Sequence, residues 1–168
     1  MAIITNVSRT QRAIDFFTKN LYFGFGRTTV WTSELSPDEP VVTATEVEEV
    51  IFLAKVTSIE YVVPGGTEIT FKDTTWTTVD PGTEDLFEED VKHLYVSTVL
   101  TYGDFELASF RQIGLLEDPT DSLDAVCSLD EYDNSEINSQ GILHYLDNRI
   151  VTNRQVNQQE TISIILEF

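Results

Sequence analysis

This chain of 168 residues has one cysteine, two histidines, and ten lysines and arginines against twenty-nine aspartates and glutamates. Each scarcity excludes something. Cys127 alone cannot form an internal disulfide or a cysteine-based zinc cage. A formal net charge of −19 repels phosphate backbones and anionic lipid, so nucleic-acid binding and membrane binding are not expected. Long apolar runs are missing too. The most conspicuous, Val50 to Ala54, falls far short of the roughly 18–20 residues of a membrane helix. The opening Met1-Ala2-Ile3-Ile4-Thr5-Asn6 has neither the basic start nor the long apolar stretch of a secretory signal. These features predict a soluble protein made in a reducing compartment. What is present suffices for a core: 41% hydrophobic and 11% aromatic residues argue against disorder, and this length buries about 70% of the unfolded surface without a disulfide or metal staple.

Periodicity sketches the elements. A helix is expected from an N-cap at Ser8, with Ala13, Ile14, Phe17 and Leu21 at helical spacing. Leu21 to Gly26 switches to an aromatic, period-two pattern, a strand whose glycines suggest a bulge or a closely passing backbone. Trp31 to Pro40 has the composition of a loop. Thr43 to Leu53 reads as a short helix, with Glu46, Glu48 and Glu49 near its positive end. A strand over Val56 to Val63 ends at the turn Pro64-Gly65-Gly66. Glu68 to Val79 is β-prone, but Ile69 and Phe71 differ in parity from Trp76, which a turn or bulge around Asp73 would reconcile. Asp80 to Asp90 is an acidic connection. His93 to Tyr102 reads as a strand buried on both faces, Leu107 to Leu116 as the next, Glu117 to Asn138 as a long surface loop, and Ile142 to Asn148 as another strand. The chain ends on an alternation of Ile162, Ile164, Leu166 and Phe168 against Thr161, Ser163 and Glu167, broken by Ile165. No internal repeat is visible. The fold class is mainly β, an antiparallel β-sandwich with one or two short helices, with residues 1–168 forming a single domain.

The chemistry of catalysis is thinly represented. His93 and His144 sit inside strands among apolar neighbours, where a hydrogen-bonded core histidine is expected rather than a base. Cys127 lies among acids that raise a thiol pKa. No nucleophile elbow, zinc-protease helix, phosphate loop or dinucleotide fingerprint occurs. Paired carboxylates abound, but nothing selects a glycosidase pair. Asp130, Asp133, Ser135 and Glu136 form an oxygen-rich cluster without the glycine and spacing of a calcium loop, so a solvated loop is expected. No enzyme, cofactor or metal is predicted. The scarce arginines say more. Arg27, Arg111 and Arg149 are embedded in or next to apolar strands, where arginine pairs with a carboxylate, caps carbonyls or crosses a subunit interface.

Three segments together resemble one family. Phe23-Gly24-Phe25-Gly26-Arg27-Thr28-Thr29-Val30-Trp31 resembles an aromatic-glycine-arginine-to-tryptophan element of phage baseplate wedge proteins, with Val30 where the family often has proline. Leu107-Ala108-Ser109-Phe110-Arg111-Gln112-Ile113-Gly114-Leu115, leading to Asp118-Pro119, is similar to a second family strand. Gly141-Ile142-Leu143-His144-Tyr145-Leu146-Asp147-Asn148-Arg149, then Gln158-Gln159-Glu160 and Ile162 to Phe168, resembles its terminal pair of strands. The resemblance implies a compact, noncatalytic, β-rich subunit of the wedge at the tip of a contractile tail. It also implies a homodimer contacting other wedge and tail proteins, assembled into the virion in the host cytoplasm. Gly26, Arg27, Trp31, Phe110, Arg111, Gln112, Asn148, Arg149 and Glu160 are its structural or interface candidates. Two alternatives remain from the sequence. One is a glycan- or receptor-binding β module at the tail tip, using Trp76 and Tyr132 as an aromatic platform. The other is a neck or tail-completion adaptor.

Overall fold

A computed structural model describes residues 3–104, 108–155 and 157–168. Along the chain run α1 (Asn6–Phe17), β1 (Leu21–Gly26), β2 (Phe52–Lys55), β3 (Ser58–Phe71), β4 (Thr74–Val79), α2 (Thr83–Glu88), β5 (His93–Leu100), β6 (Ala108–Glu117), β7 (Thr120–Asp121), β8 (Glu131–Asp133), β9 (Ile137–Ser139), β10 (Ile142–Arg154) and β11 (Glu160–Glu167). Strands take 48% of the chain and helices 12%, which makes the fold mainly antiparallel β with two helices, consistent with the β-sandwich class. Met1, Ala2 and Leu107, which figured in the sequence reading, lie outside the described residues.

The chain divides into two compact units. One holds the segment ending at Lys19 together with Thr57–Thr98 and Ile162–Phe168. Its sheet has the order β11-β5-β3-β4. The helix α1 starts earlier than expected, because the Thr5 side chain, not Ser8, caps it by accepting the Ser8 N–H. Its face of Thr10, Ala13 and Phe16 is buried. Phe17 stacks on Tyr61 with ring centroids 4.5 Å apart, and Phe16 meets Phe168 at 5.3 Å. Ile162 and Ile164 are buried, as the terminal alternation predicted. Pro64-Gly65-Gly66 does not end a strand. β3 runs through it, and the extra residues appear as a register break in which Pro64 and Ile69 both face Trp76. The chain reverses instead at Lys72-Asp73, both at positive φ (46° and 65°), the mirror-image two-residue turn that suits strand twist. This is the reversal that the parity change pointed to. The acidic connection after β4 folds into α2, which the sequence reading missed.

The second unit comprises Asn20–Val56 and Val99–Thr161, with a five-stranded sheet ordered β10-β6-β1-β2-β8 and a small β7-β9 ladder. β1 is paired on both sides, to β2 and β6, and all six of its residues are buried, which explains its unbroken aromatic-glycine composition. Two expectations fail here. Thr43 to Leu53 is not a helix. Glu49 sits at φ 46°, and the Val47 and Glu48 backbone is held by glutamine side chains from elsewhere. Nor is Glu117 to Asn138 merely a surface loop. Cys127 and Tyr132 are buried with Tyr22, Leu53 and Leu116. The Tyr132 hydroxyl accepts the N–H groups of Ser128 and Leu129, and the Tyr22 hydroxyl donates to the Leu129 carbonyl at 2.6 Å. Tyr132 is therefore no exposed binding platform. Asp133 and Glu136 form a capping box on the short 3-10 turn Asn134–Glu136.

Candidate functional site

Most of the motif residues meet in the second unit, around the loop that leaves β1. At Gly26 the chain passes so close to residues 47 and 48 that a Cβ would collide with the Glu48 carbonyl and come within 2.7 Å of Val47. This is the close backbone approach that the strand glycines suggested. Arg27 follows in the left-handed region, at φ 54°. Its N–H donates to the Glu48 carbonyl at 2.5 Å, its guanidinium pairs with the Glu48 carboxylate, and it lies 3.8 Å above the Trp31 ring. Trp31 is only 4% exposed, and its indole N–H donates to the Arg149 carbonyl at 2.9 Å.

From β6, Arg111 donates through Nε to Glu34 Oε1 at 2.8 Å and through a terminal nitrogen to the Thr28 carbonyl at 2.7 Å. The same Glu34 oxygen accepts the Trp31 backbone N–H at 3.1 Å. Gln112, 1% exposed, accepts the Glu48 N–H at 2.8 Å and donates to Asn148 Oδ1 at 2.9 Å. Asn148 in turn donates to the Asp38 carbonyl at 2.8 Å. Phe110 lies below, edge-on to Phe25 at 5.2 Å, and Arg149 pairs locally with Asp147. Glu160 opens β11 and makes none of these contacts.

Several residues that complete the network were not visible in the sequence. Glu49 accepts the N–H and hydroxyl groups of both Thr28 and Thr29. Those bonds, the Thr28 hydroxyl foremost, pull its pKa down to about 2. Gln140 clamps Val47 by accepting its N–H at 2.8 Å and donating to its carbonyl at 2.9 Å. A fourth, separate arginine was also overlooked. Arg154, 1% exposed, donates to the carbonyls of Thr101 (2.6 Å) and Asp104 (3.4 Å). Near it, burial and the adjacent Asp104 raise Glu131 to about 7.

Beside the network lies a cavity of about 380 Å³, with Arg27, Trp31, Asp38, Glu46, Gln112 and Asn148 in its lining. The histidines are occupied structurally. His144 Nε2 is 2.7 Å from Glu117, and His93 is buried, which lowers its pKa, with Glu167 4.0 Å away. Burial raises the Cys127 thiol. Among the described residues, no group of three or more His, Cys, Asp or Glu is placed to hold a metal ion, and no helix is long and apolar enough to cross a membrane.

A network of this kind fixes the path of a loop. It ties residues 28–49 to β6 and β10 through side chains most of whose polar atoms bond backbone or one another, with Arg27 Nε, Glu34 Oε2 and Arg149 Nε left buried without a partner among the described residues, and this suits a structural β protein. Comparison with known proteins agrees. Over residues 1–168 the chain matches the family described as baseplate wedge 3 tail fiber network component, and it belongs to that family. It is also 28% identical over 163 residues to Virion protein 3 of Enterococcus phage phiEF24C, a match covering 92% of this chain and 88% of the relative. The chain is thus a baseplate wedge and tail fiber network component of a phage virion, and it associates with other baseplate proteins.

Proposed function

We propose that this chain is a noncatalytic subunit that helps assemble the wedge of a contractile tail around the central hub. It acts as a homodimer bound to other wedge and tail proteins, after synthesis in the host cytoplasm. The observation that supports this reading is the tethered loop. The network of Arg27, Trp31, Arg111, Gln112, Asn148 and Arg149 holds residues 28–49 in place, while that loop turns Leu35 (94% exposed) and Val42 (104%) to solvent. A fixed loop with outward apolar side chains binds a neighbour at little ordering cost. We further read the chain as one functional domain. It passes between the two units at residues 19/20, 56/57, 98/99 and 161/162, so neither unit is a contiguous segment.

The test is a phage lacking this gene, imaged by negative-stain electron microscopy. No assembled baseplates are expected, with rescue by the wild-type chain supplied in trans and poor rescue by Leu35→Asp/Val42→Asp. Intact baseplates on particles that only fail to adsorb would overturn the reading in favour of a glycan- or receptor-binding module. Intact baseplates with heads and tails left unjoined would favour a neck or tail-completion adaptor.

A further inference from the structure

The cavity beside the loop network joins two kinds of surface. Part of its lining is apolar, with Trp31 buried, Leu146 half-buried and Val41 exposed. Three exposed carboxylates, Asp38, Glu39 and Glu46, line it as well. Among the described residues none of the three carries a side-chain hydrogen bond or an ion pair, whereas Glu34, Glu48 and Glu49 are all engaged. Arg27, the cation of this lining, is spent on the Glu48 carboxylate and the Trp31 ring, and its unpartnered Nε is sealed from solvent. The cavity is left with uncompensated negative charge.

The network also holds the cavity ready. Gln140 clamps Val47 and Gln112 fixes the Glu48 N–H, so Glu46 stands on anchored chain, while Asn148 holds the Asp38 carbonyl. A preformed site binds with little ordering cost. Its chemistry narrows the occupant. A volume of about 380 Å³ lies low in the roughly 300–1,000 Å³ range of ligand pockets, which suits one long side chain. A metal ion needs converging ligands, and among the described residues these acids are not placed to hold one. A neutral sugar is read by free amides, but those of Gln112 and Asn148 already bond each other and backbone. A second copy at −19 brings mainly repulsion. What fits is a cation on an apolar stem. Arginine lays its stem along apolar surface and spreads five donors toward several carboxylates at once.

We propose that this cavity is a socket for an arginine side chain of a neighbouring baseplate protein. Trp31, Val41 and Leu146 face its stem, and Asp38, Glu39 and Glu46 surround its guanidinium. The inference deepens the assembly reading and rests on it for the source of the arginine. Arginine is enriched among the few residues that dominate interfaces, and the exposed Leu35 and Val42 of the same loop add apolar contact.

Magnetic resonance of the isotope-labelled full chain, titrated with Nα-acetyl-arginine amide at about 50 mM salt, tests the socket. Trp31 and Trp76 are the two tryptophans, so their indole signals separate the cavity from the remainder of the molecule. The Trp31 indole and the Gln112 and Asn148 side-chain amides should shift saturably, with a dissociation constant of about 1–10 mM, while the Trp76 indole stays fixed. Nα-acetyl-citrulline amide, of similar shape but uncharged, should bind about tenfold more weakly, as should the arginine probe to Glu39→Gln/Glu46→Gln. In the deletion phage, Glu39→Lys/Glu46→Lys should rescue baseplates poorly. No saturable shift, equal binding of citrulline, or Trp31 and Trp76 shifting alike would overturn the socket and leave the assembly reading in place. Full rescue by Glu39→Lys/Glu46→Lys, with probe binding lost in that variant, would overturn the neighbour's arginine as occupant. Intact baseplates in the deletion phage, with the titration as expected, would overturn the assembly reading and the source of the arginine but not the socket.

Discussion

Gln112 shows how one side chain organises the loop. Its amide is buried and uses both ends, accepting from the Glu48 N–H and donating to Asn148. Gln112→Leu preserves bulk but removes both part-buried bonds, to the Glu48 N–H and the Asn148 side-chain carbonyl, and each is worth about 0.5–1.5 kcal/mol. We expect a loss of about 1–3 kcal/mol, read from the urea midpoint at unchanged m-value. Two carboxyls shape the pH profile in opposite directions. Glu49 has its pKa lowered from 4.5 to about 2, so its contribution to stability is present above pH 4.5 and is lost as pH falls through 2. Glu131 is raised from 4.5 to about 7 by burial and by Asp104. The fold then favours its protonated form, whose contribution is present below pH 4.5 and is lost as pH rises through 7. Thermal melts from pH 2 to 8 should show Glu49→Gln flattening the acid limb and Glu131→Gln flattening the decline toward neutrality. A slope unchanged by either variant would assign that limb to other groups.

At the scale of elements, the strongest local signals read correctly and long-range dependence hid the rest. β1, β6, β10 and β11 announce themselves by apolar runs or alternation, and they carry Gly26, Phe110, Arg111, Gln112, Asn148 and Arg149, with Arg27 directly after β1. The arginines in strands do pair with carboxylates and carbonyls, as expected of that residue in that setting. Which carboxylate each one takes was not legible, because Glu34, Glu48 and Glu49 look like any other acids in a chain with twenty-nine. The helix expected over Thr43 to Leu53 failed for the same reason. Its local charge pattern was sound, but Gln112 and Gln140, more than sixty residues away in sequence, claim the backbone that a helix would use. Glu117 to Asn138 misled in the opposite sense, since most of its acids are exposed while Cys127 and Tyr132, sparse in the sequence, fill the core and Glu117 is itself buried. The backbone crossing at Gly26 can be tested directly. Gly26→Ala forces a Cβ against the Glu48 carbonyl, a backbone atom that cannot swing aside, and should cost about 1–3 kcal/mol. Gly82→Ala, whose Cβ would meet only an Asp85 carboxylate oxygen at 3.6 Å, should leave the melting temperature within a degree or two.

For the whole molecule, net charge sets the sign of every association. Two copies each carrying −19 repel over a Debye length of about 10 Å at 0.1 M salt. The repulsion involves every charge on both molecules, so added salt should tighten self-association. Contacts with a basic neighbouring subunit should behave oppositely, because the acidic stretches 80–90 and 117–136 would be screened from it. Raising sodium chloride from about 50 to about 500 mM should therefore strengthen the dimer seen by light scattering and weaken, by about tenfold or more, the binding of co-purified neighbours measured calorimetrically. If binding to neighbours proves flat with salt, the acids of those stretches serve solubility, and recognition falls to apolar side chains such as Leu35 and Val42. If the dimer weakens with salt instead, ion pairs between the copies outweigh the net repulsion and hold them together.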